Sequence, residues 1–183
     1  MNGEEYLKAP NIFSREELIR LREDAVKYGV LEPDDAKCKG KSSESYWCHE
    51  IERFPYVREA RDRAFGEIED RWGYDISDRY ACNFLYNIYK APSGGYPWHI
   101  DRAQENTPFV DLKVTMIVNT SVQPYEGGEL HVACHKVDDT HVEELDTPGN
   151  VILFRSHNLH RVAPVTSGER TSLTIFFKGP RWR

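Results

Sequence analysis

The sequence predicts an α+β fold that is mainly β. Two observations carry this prediction: apolar residues recur with helical spacing before Gly73 and with extended-strand spacing after it. Two helices followed by a run of strands indicate helices that cover one face of a sheet sandwich or barrel. No repeat and no long linker divides the 183 residues, which favours a single domain over residues 1–183. We expect residues 1–79 to form a helical support region and residues 80–178 to form the β core.

The first predicted helix runs from Ser14 to Gly29. Ser14 and Glu17 have the spacing of a capping box, and Phe13 and Leu18 occupy the positions of a hydrophobic staple. An apolar face then follows along the helix. It consists of Leu18, Leu21, Ala25 and Val26.

The second predicted helix runs from about Tyr56 to Trp72, where Gly73 is the stop signal. Between the helices, the polar segment Glu32–Ser45 has too few apolar residues to form a core element, so we expect a mobile loop. This loop and a second one, Gln104–Pro108, are candidates for lids that close over a substrate.

The predicted strands are runs of apolar and β-branched residues that end at Gly, Pro, Asn or Asp clusters. They are Tyr80–Tyr89, Asp111–Thr120, Glu129–Ala133, Val151–Phe154, His160–Val165 and Arg170–Phe177.

Composition excludes several classes of function. With 24 Lys and Arg against 30 Asp and Glu, the net charge is −6, which argues against broad nucleic-acid binding. No apolar run approaches the length of a membrane span, and the N-terminus lacks the features of an export signal. We therefore expect a cytoplasmic protein. Its four cysteines form no C-x-x-C pair and are expected to be free thiols; they are Cys38, Cys48, Cys82 and Cys134.

A histidine and a carboxylate lie two residues apart at His99 and Asp101. In extended backbone, residues i and i+2 point to the same side, so both can reach one ion. His160 follows a short strand that would return the chain to the same end of a barrel. Two histidines and one carboxylate form the facial triad of non-haem Fe(II) oxygenases, which leaves three positions open. His131 and His135, in contrast, would not converge from a strand and its following loop.

Arg170 lies ten residues beyond His160. If residues 166–168 form a three-residue hairpin loop with Gly168 in the left-handed conformation, Arg170 shares a strand face with His160. The separation would then be roughly 13 Å, which suits a five-carbon dicarboxylate that binds the metal at one end and the guanidinium at the other. The same face would carry Val162, Pro164, Ser172, Thr174 and Phe176, whereas Leu173, Ile175 and Phe177 would point the other way.

The stretch from about Tyr80 to Lys178 resembles the Fe(II)/2-oxoglutarate-dependent dioxygenases, in particular their prolyl-hydroxylase-like branch. Beyond the residues above, the resemblance rests on four short motifs. These are Val114-Thr115-Met116-Ile117, Gly127-Gly128-Glu129-Leu130, Pro148-Gly149-Asn150-Val151 and His160-Arg161-Val162. It implies a double-stranded β-helix, a jelly roll similar to that of the cupins, with the N-terminal helices packed on its major sheet.

The resemblance also implies the roles of individual residues. His99, Asp101 and His160 would bind the iron, and Arg170 the distal carboxylate of 2-oxoglutarate. The other co-substrate residues would be Tyr89, Ser172 and Thr174. Residues near the substrate would be Tyr96, Trp98, Arg102, Arg155 and Arg161.

The implied reaction is hydroxylation of a C–H bond, with O₂ and 2-oxoglutarate consumed, succinate and CO₂ released, and ascorbate as a reductant. A prolyl residue in a peptide or protein is the first expected substrate. A free amino acid or another small molecule is the alternative, and a non-catalytic jelly-roll binding module is a third hypothesis.

Overall fold

Two antiparallel sheets form the fold, as a computed structural model shows for residues 6–9, 12–33, 39–76, 83–102, 110–133 and 139–180. In chain order, the elements are β1 (Tyr6–Ala9), α1 (Arg15–Tyr28), β2 (Val30–Leu31), β3 (Glu44–Cys48), α2 (Pro55–Trp72), β4 (Phe84–Lys90), β5 (Tyr96–His99), β6 (Val110–Asn119), β7 (Tyr125–Gly127), β8 (Leu130–Ala133), β9 (Thr140–His141), β10 (Val151–Arg155), β11 (Leu159–Val162) and β12 (Val165–Pro180). Single 3-10 turns span Ile51–Arg53 and Glu143–Asp146.

The major sheet has the strand order β1-β10-β6-β12-β4-β3-β2, and β7 joins it by pairing with β12. The minor sheet has the order β5-β11-β8-β9. After β4 the chain passes repeatedly from one sheet to the other, and these crossings wrap it into the predicted double-stranded β-helix.

Helix α1 begins and ends where its sequence signals lie. Ser14 is the N-cap, and its hydroxyl and the Glu17 carboxylate complete the predicted capping box. Phe13 and Leu18, the predicted staple pair, are both buried. One part of the predicted apolar face is wrong, because Val26 is 43% exposed. Val26 lies beyond the edge of the buried stripe that Leu18, Leu21 and Ala25 form.

Helix α2 starts one residue before its predicted beginning, with Pro55 at the first helical position, where a missing N–H has no cost. It ends at Gly73, whose φ of 61° is left-handed and whose N–H bonds to the Glu69 carbonyl. Neither α1 nor α2 is long and apolar enough to cross a membrane, and these are the helices of the described residues.

The major sheet is covered on both faces, and each face has its own apolar cluster. The outer cluster joins both helices to one side of the sheet and includes Leu21, Ala25, Val57, Ile68, Phe84, Met116, Leu173, Ile175 and Phe177. The inner cluster lies between the two sheets and includes Ile117, Leu130, Val132, Ile152, Phe154 and Val162. Adjacent residues of one strand, such as Met116 and Ile117, therefore pack into different clusters.

Three strands in the first 79 residues were not predicted: β1, β2 and β3. β1 adds to the edge of the sheet by pairing with β10, and β3 pairs with β4. Within the predicted loop, Ser43 and Ser45 are buried, and hydrogen bonds offset the cost: the two hydroxyls bond to each other, and Ser45 donates to Asn87. Cross-strand partners, which local sequence does not reveal, stabilise these segments.

Of the predicted free thiols, Cys48 is buried, and burial raises its pKa to about 12. Cys38, Cys82 and Cys134 lie outside the described residues, as does the predicted lid Gln104–Pro108.

One glycine inside α2 and one that caps its C-terminus give a paired test of the fold. Gly66 lies in the helix interior and Gly73 is its left-handed cap, and an added Cβ would meet nothing within 4 Å at either position. We expect Gly66→Ala to raise the free energy of unfolding by about 0.5–1 kcal/mol, because alanine loses less entropy in a helix. Gly73→Ala should lower it by about 1 kcal/mol through the strain of a positive φ. Urea unfolding measures both, and equal signs would contradict the assignment of the cap.

Candidate metal and co-substrate site

The three predicted metal ligands meet at one end of the minor sheet. His160 on β11 pairs directly with His99 on β5, so both imidazoles leave the same face. Asp101 follows two residues after the end of β5 and turns to the same point. The candidate ligand atoms all lie within 4.8 Å of one another. Asp101 Oδ1 is 3.7 Å from His99 Nε2, and Oδ2 is 3.5 Å from His160 Nε2.

Each imidazole is oriented by a backbone carbonyl two residues earlier in the chain. His99 Nδ1 lies 2.8 Å from the Pro97 oxygen, and His160 Nδ1 lies 3.0 Å from the Asn158 oxygen. A carbonyl only accepts hydrogen bonds, so Nδ1 carries the proton in both rings. The Nε2 lone pairs therefore point into the cluster, as metal-binding histidines require.

Burial keeps both histidines neutral at physiological pH. Burial lowers the pKa of His160 to about 4, and burial together with the neighbouring His160 lowers that of His99 to about 4. The pKa of Asp101 is raised by burial, and the hydrogen bond from Thr115 opposes this rise. Two neutral nitrogens and one carboxylate form a donor set that fits Fe(II).

A buried arginine defines the other end of the site. Arg170 on β12 is 2% exposed and lies opposite Tyr89 of β4, with its guanidinium carbon 5.7 Å from the Tyr89 ring centre. Among the described residues, its Nη1 has no hydrogen-bond partner. A buried cation is costly unless it is paired, so this nitrogen fits an anionic ligand such as the distal carboxylate of 2-oxoglutarate.

One cavity between the sheets contains both ends. It is lined by all seven residues predicted for metal and co-substrate: Tyr89, His99, Asp101, His160, Arg170, Ser172 and Thr174. Ser172 and Thr174 are buried on the same face of β12 as Arg170, which is the predicted parity. Phe176 and Val162 line the cavity too, as the predicted faces require.

The predicted hairpin between His160 and Arg170 is wrong. Gly168 is left-handed as expected, but residues 165–168 pair with β7 instead of turning back. β11 ends at Val162 in the minor sheet, and β12 begins at Val165 in the major sheet. His160 and Arg170 therefore face each other across the space between two sheets, and their shared orientation does not come from a common ladder.

Four of the five residues predicted near the substrate lie outside the lining of this cavity. Tyr96 lines the cavity, and its ring stacks on His99. Trp98 and Arg161 do not line it. They contact each other, with the Arg161 guanidinium carbon 5.3 Å from the Trp98 ring centre, while Arg161 also bonds to Asp139. The alternation that aims the neighbouring histidines inward aims these two side chains outward.

The other two predicted substrate residues also lie outside the cavity lining. Arg155 donates to the Tyr74 hydroxyl at 3.0 Å, and its guanidinium carbon lies 5.1 Å from the Trp72 ring centre. These contacts join the end of β10 to the end of α2. Arg102 is exposed directly after Asp101.

Sequence reasoning missed Thr115, Ser156 and Lys41, as well as the lining residues Leu85, Asn87 and Ile117. Thr115 on β6 bonds to Asp101 at 2.6 Å, and Ser156 lies 3.0 Å from the Thr115 hydroxyl. Lys41, from the predicted lid, lines the cavity with its ammonium 3.6 Å from Glu32 and 6.0 Å from the Tyr96 ring centre. A threonine alternating with apolar residues in a strand was an available signal for Thr115. Nothing local distinguishes Lys41 from a solvated lysine.

A jelly roll that holds a two-histidine, one-carboxylate cluster and a buried arginine in one cavity defines a class of non-haem iron enzymes. Comparison with known proteins gives the family. A family profile described as "2OG-Fe(II) oxygenase superfamily" matches residues 84–178, just over half of the chain. The chain belongs to the 2OG-Fe(II) oxygenase superfamily.

Individual relatives agree with this family. A PKHD-type hydroxylase of Shewanella oneidensis is 38% identical over 102 residues, which are 51% of this chain and 42% of that relative. The match thus spans less than half of the relative's length.

Two solved structures share the fold. A prolyl-4-hydroxylase of Pseudomonas putida superposes with a TM-score of 0.75 at 18% identity, covering 97% of this chain and 94% of that one. The 2OG complex of a viral collagen prolyl hydroxylase from Paramecium Bursaria Chlorella virus-1 gives 0.71 at 20% identity, covering 97% and 98%.

The lowered pKa of His160 predicts an acid-dependent loss of stability in the metal-free protein. The folded state keeps this imidazole neutral down to about 4, whereas the unfolded chain binds a proton near the ordinary 6.5. The unfolded state therefore binds more protons between these values, so the contribution is complete above pH 6.5 and is lost as the pH falls towards 4. His160→Leu should reduce the slope of unfolding free energy against pH by up to about 1.4 kcal/mol per pH unit in this window. Urea unfolding from pH 4 to 7 measures it, and identical slopes would contradict burial of a neutral imidazole.

Gly128 packs against Arg170 and predicts a co-substrate defect. Its φ is +76°, and an added Cβ would lie 2.4 Å from Arg170 Cδ and 3.1 Å from Val165 Cγ2. Gly128→Ala should displace the guanidinium and raise the 2-oxoglutarate KM at least about tenfold. Gly73→Ala is the matched control, since Gly73 also has a positive φ, +61°, while its added Cβ would meet nothing within 4 Å. Equal KM values for the two variants would show that Gly128 does not position Arg170.

Proposed function

We propose that this protein hydroxylates a prolyl residue in a peptide or protein, using Fe(II), O₂ and 2-oxoglutarate. The observation that carries the proposal is the unpartnered Nη1 of buried Arg170, which lines the same cavity as the His99, Asp101 and His160 cluster. A metal site alone would need no buried cation beside it. A dianionic co-substrate explains both features.

The chain's own residues divide the work between the two ends of the cavity. His99, Asp101 and His160 would hold Fe(II) through three protein ligands and leave its remaining positions open. When bound, the iron supplies the oxidative decarboxylation in which 2-oxoglutarate, O₂ and a substrate C–H yield succinate, CO₂ and a C–OH group. The apolar residues between the sheets limit access of water to this point.

The co-substrate end supplies orientation. The Arg170 guanidinium presents a planar pair of donors, which matches a carboxylate in two places. Ser172, two residues along the same face, adds a hydroxyl near this group, and Tyr89 lies across the ladder from Arg170. Binding at Arg170 would fix the length of the co-substrate, since both ends of the site belong to rigid strands.

The prolyl substrate is supported by the fold, which the chain shares with a prolyl-4-hydroxylase and a collagen prolyl hydroxylase. The alternative substrate is a free amino acid or another small molecule, but Lys41 in the cavity lining already pairs with Glu32 at 3.6 Å and so gives that alternative no specific support. A non-catalytic binding module fits less well, since it has no use for the buried guanidinium. A cytoplasmic location stays a prediction.

Succinate formation tests the proposal. Purified protein with Fe(II), ascorbate, O₂ and 2-oxoglutarate should release succinate. Proline-containing peptides that are substrates should accelerate this release, and each should gain the mass of one oxygen atom. Asp101→Ala should abolish succinate formation. Arg170→Ala should raise the 2-oxoglutarate KM about 10–100-fold, the range expected for losing a charge-assisted hydrogen bond.

The matched control is Arg63→Ala, which removes an exposed arginine of α2 that pairs with Glu59. This variant should leave the rate of succinate formation and the 2-oxoglutarate KM unchanged. Hydroxylation of free L-proline with no peptide reaction would favour the alternative substrate. The proposed enzymatic function would be contradicted if no tested substrate supported 2-oxoglutarate turnover and another ligand bound in the cavity.

A further inference from the structure

Two buried hydroxyls stand behind the carboxylate of the metal cluster. Thr115 and Ser156 both have no exposed surface, and they form a chain that ends on Asp101. We propose that Thr115, itself held by Ser156, is a positioning residue: it occupies one oxygen of Asp101 so that the carboxylate binds the metal through the other alone. This inference rests on the metal site of the proposed function.

The direction of the hydrogen bonds follows from the groups themselves. An ionised carboxylate only accepts, so the Thr115 hydroxyl donates to Asp101 Oδ2 at 2.6 Å. Threonine has a single hydroxyl hydrogen, so Ser156, at 3.0 Å from Thr115 Oγ1, must donate to Thr115. The chain therefore runs from Ser156 through Thr115 to Asp101, and its last bond has the short length of a charge-assisted hydrogen bond.

The chain is anchored in the most rigid part of the fold. Thr115 lies in the centre of β6, paired with Phe154 of β10 on one side and Phe176 of β12 on the other. The Ser156 N–H bonds to the Lys113 carbonyl at 3.0 Å. Asp101, in contrast, lies beyond the end of β5. Its backbone N–H donates to the Ser156 carbonyl at 3.0 Å.

The consequence concerns the number of open metal positions. A carboxylate that binds through both oxygens takes two positions, whereas one that binds through a single oxygen takes one. With Oδ2 held by Thr115, Oδ1 remains for the metal, and three positions stay free for a chelating co-substrate and O₂. Thr115 would thereby affect metal affinity and the amount of succinate released per hydroxylated product, without itself binding the metal.

Four variants separate this role from simple packing. Thr115→Val has nearly the same shape and lacks the hydroxyl, whereas Thr115→Ser keeps the hydroxyl and loses a methyl group. Ser156→Ala removes the donor behind Thr115. The control is Thr120→Val, which removes another fully buried hydroxyl from the same region, one bonded to Thr171 at 2.8 Å.

Binding of Mn(II), followed by the EPR signal of the free ion, gives a readout that needs no turnover. We expect Thr115→Val to weaken Mn(II) binding about 10–100-fold, the usual effect of losing an outer-shell partner of a metal ligand. Ser156→Ala should have a smaller effect in the same direction, and Thr115→Ser and Thr120→Val should bind as the wild type does. In the Fe(II) enzyme, Thr115→Val should also release more succinate per hydroxylated product.

Three outcomes would overturn the proposal or its basis. Wild-type Mn(II) affinity and wild-type coupling in Thr115→Val would exclude the positioning role. An equal loss of affinity in Thr120→Val would assign the effect to packing, which thermal unfolding of the metal-free variants would also reveal. Failure of the wild type to bind Mn(II) at all would instead overturn the metal site, and with it the proposed function.

Discussion

The rest of the structure depends on the burial of β12 on both of its faces. Leu173 and Ile175 point to the helices, while Arg170, Ser172 and Thr174 point to the space between the sheets. Each fully buried apolar side chain contributes about 1.5–3 kcal/mol relative to its exposed state. A polar inner face, with a guanidinium that the protein itself does not fully pair, costs stability. The apolar outer face offsets that cost and so allows a binding site to exist in the interior.

The two ends of the site belong to different sheets, which has a functional consequence. The histidines are held by the β5–β11 pair of the minor sheet, and Arg170 by the β12–β4 pair of the major sheet. Their separation is therefore set by the inner apolar cluster that keeps the sheets apart. Because packed interiors do not deform continuously, such a cavity can select a ligand by its length.

The chain is acidic overall, but its cavity is lined by a buried arginine. The net charge is −6, yet the cavity is lined by Arg170 and Lys41, and its histidines are neutral. Asp101 is the only acidic residue in the described lining. Because Glu32 pairs with Lys41 at 3.6 Å, the Arg170 guanidinium is the positive group that attracts one carboxylate of a dianionic co-substrate.

The sequence alone determined the features that follow from local rules. Helix caps at Ser14 and Gly73 depend on neighbours within one turn, and the shared orientation of His99 with Asp101 depends on the two-residue period of a strand. The same period separated Arg170, Ser172 and Thr174 from the residues that face the helices. The same period directs Trp98 and Arg161 away from the cavity that their histidine neighbours line.

Only the tertiary structure decided which distant segments meet. It showed that Arg170 and His160 lie on separate sheets, that Lys41 reaches the cavity, and that Thr115 and Ser156 support Asp101. The alternation of Thr115 with apolar residues indicates the face of its strand, but no local signal names its partner, because strand pairing and sheet packing bring these separate segments together. The sequence by itself therefore determined the chemistry of the site, the ligand types and their facing sides, since these depend on residue identity and backbone period. Its shape and its supporting hydrogen bonds were decided by long-range packing, where the gain of each contact is realised only after the chain has folded.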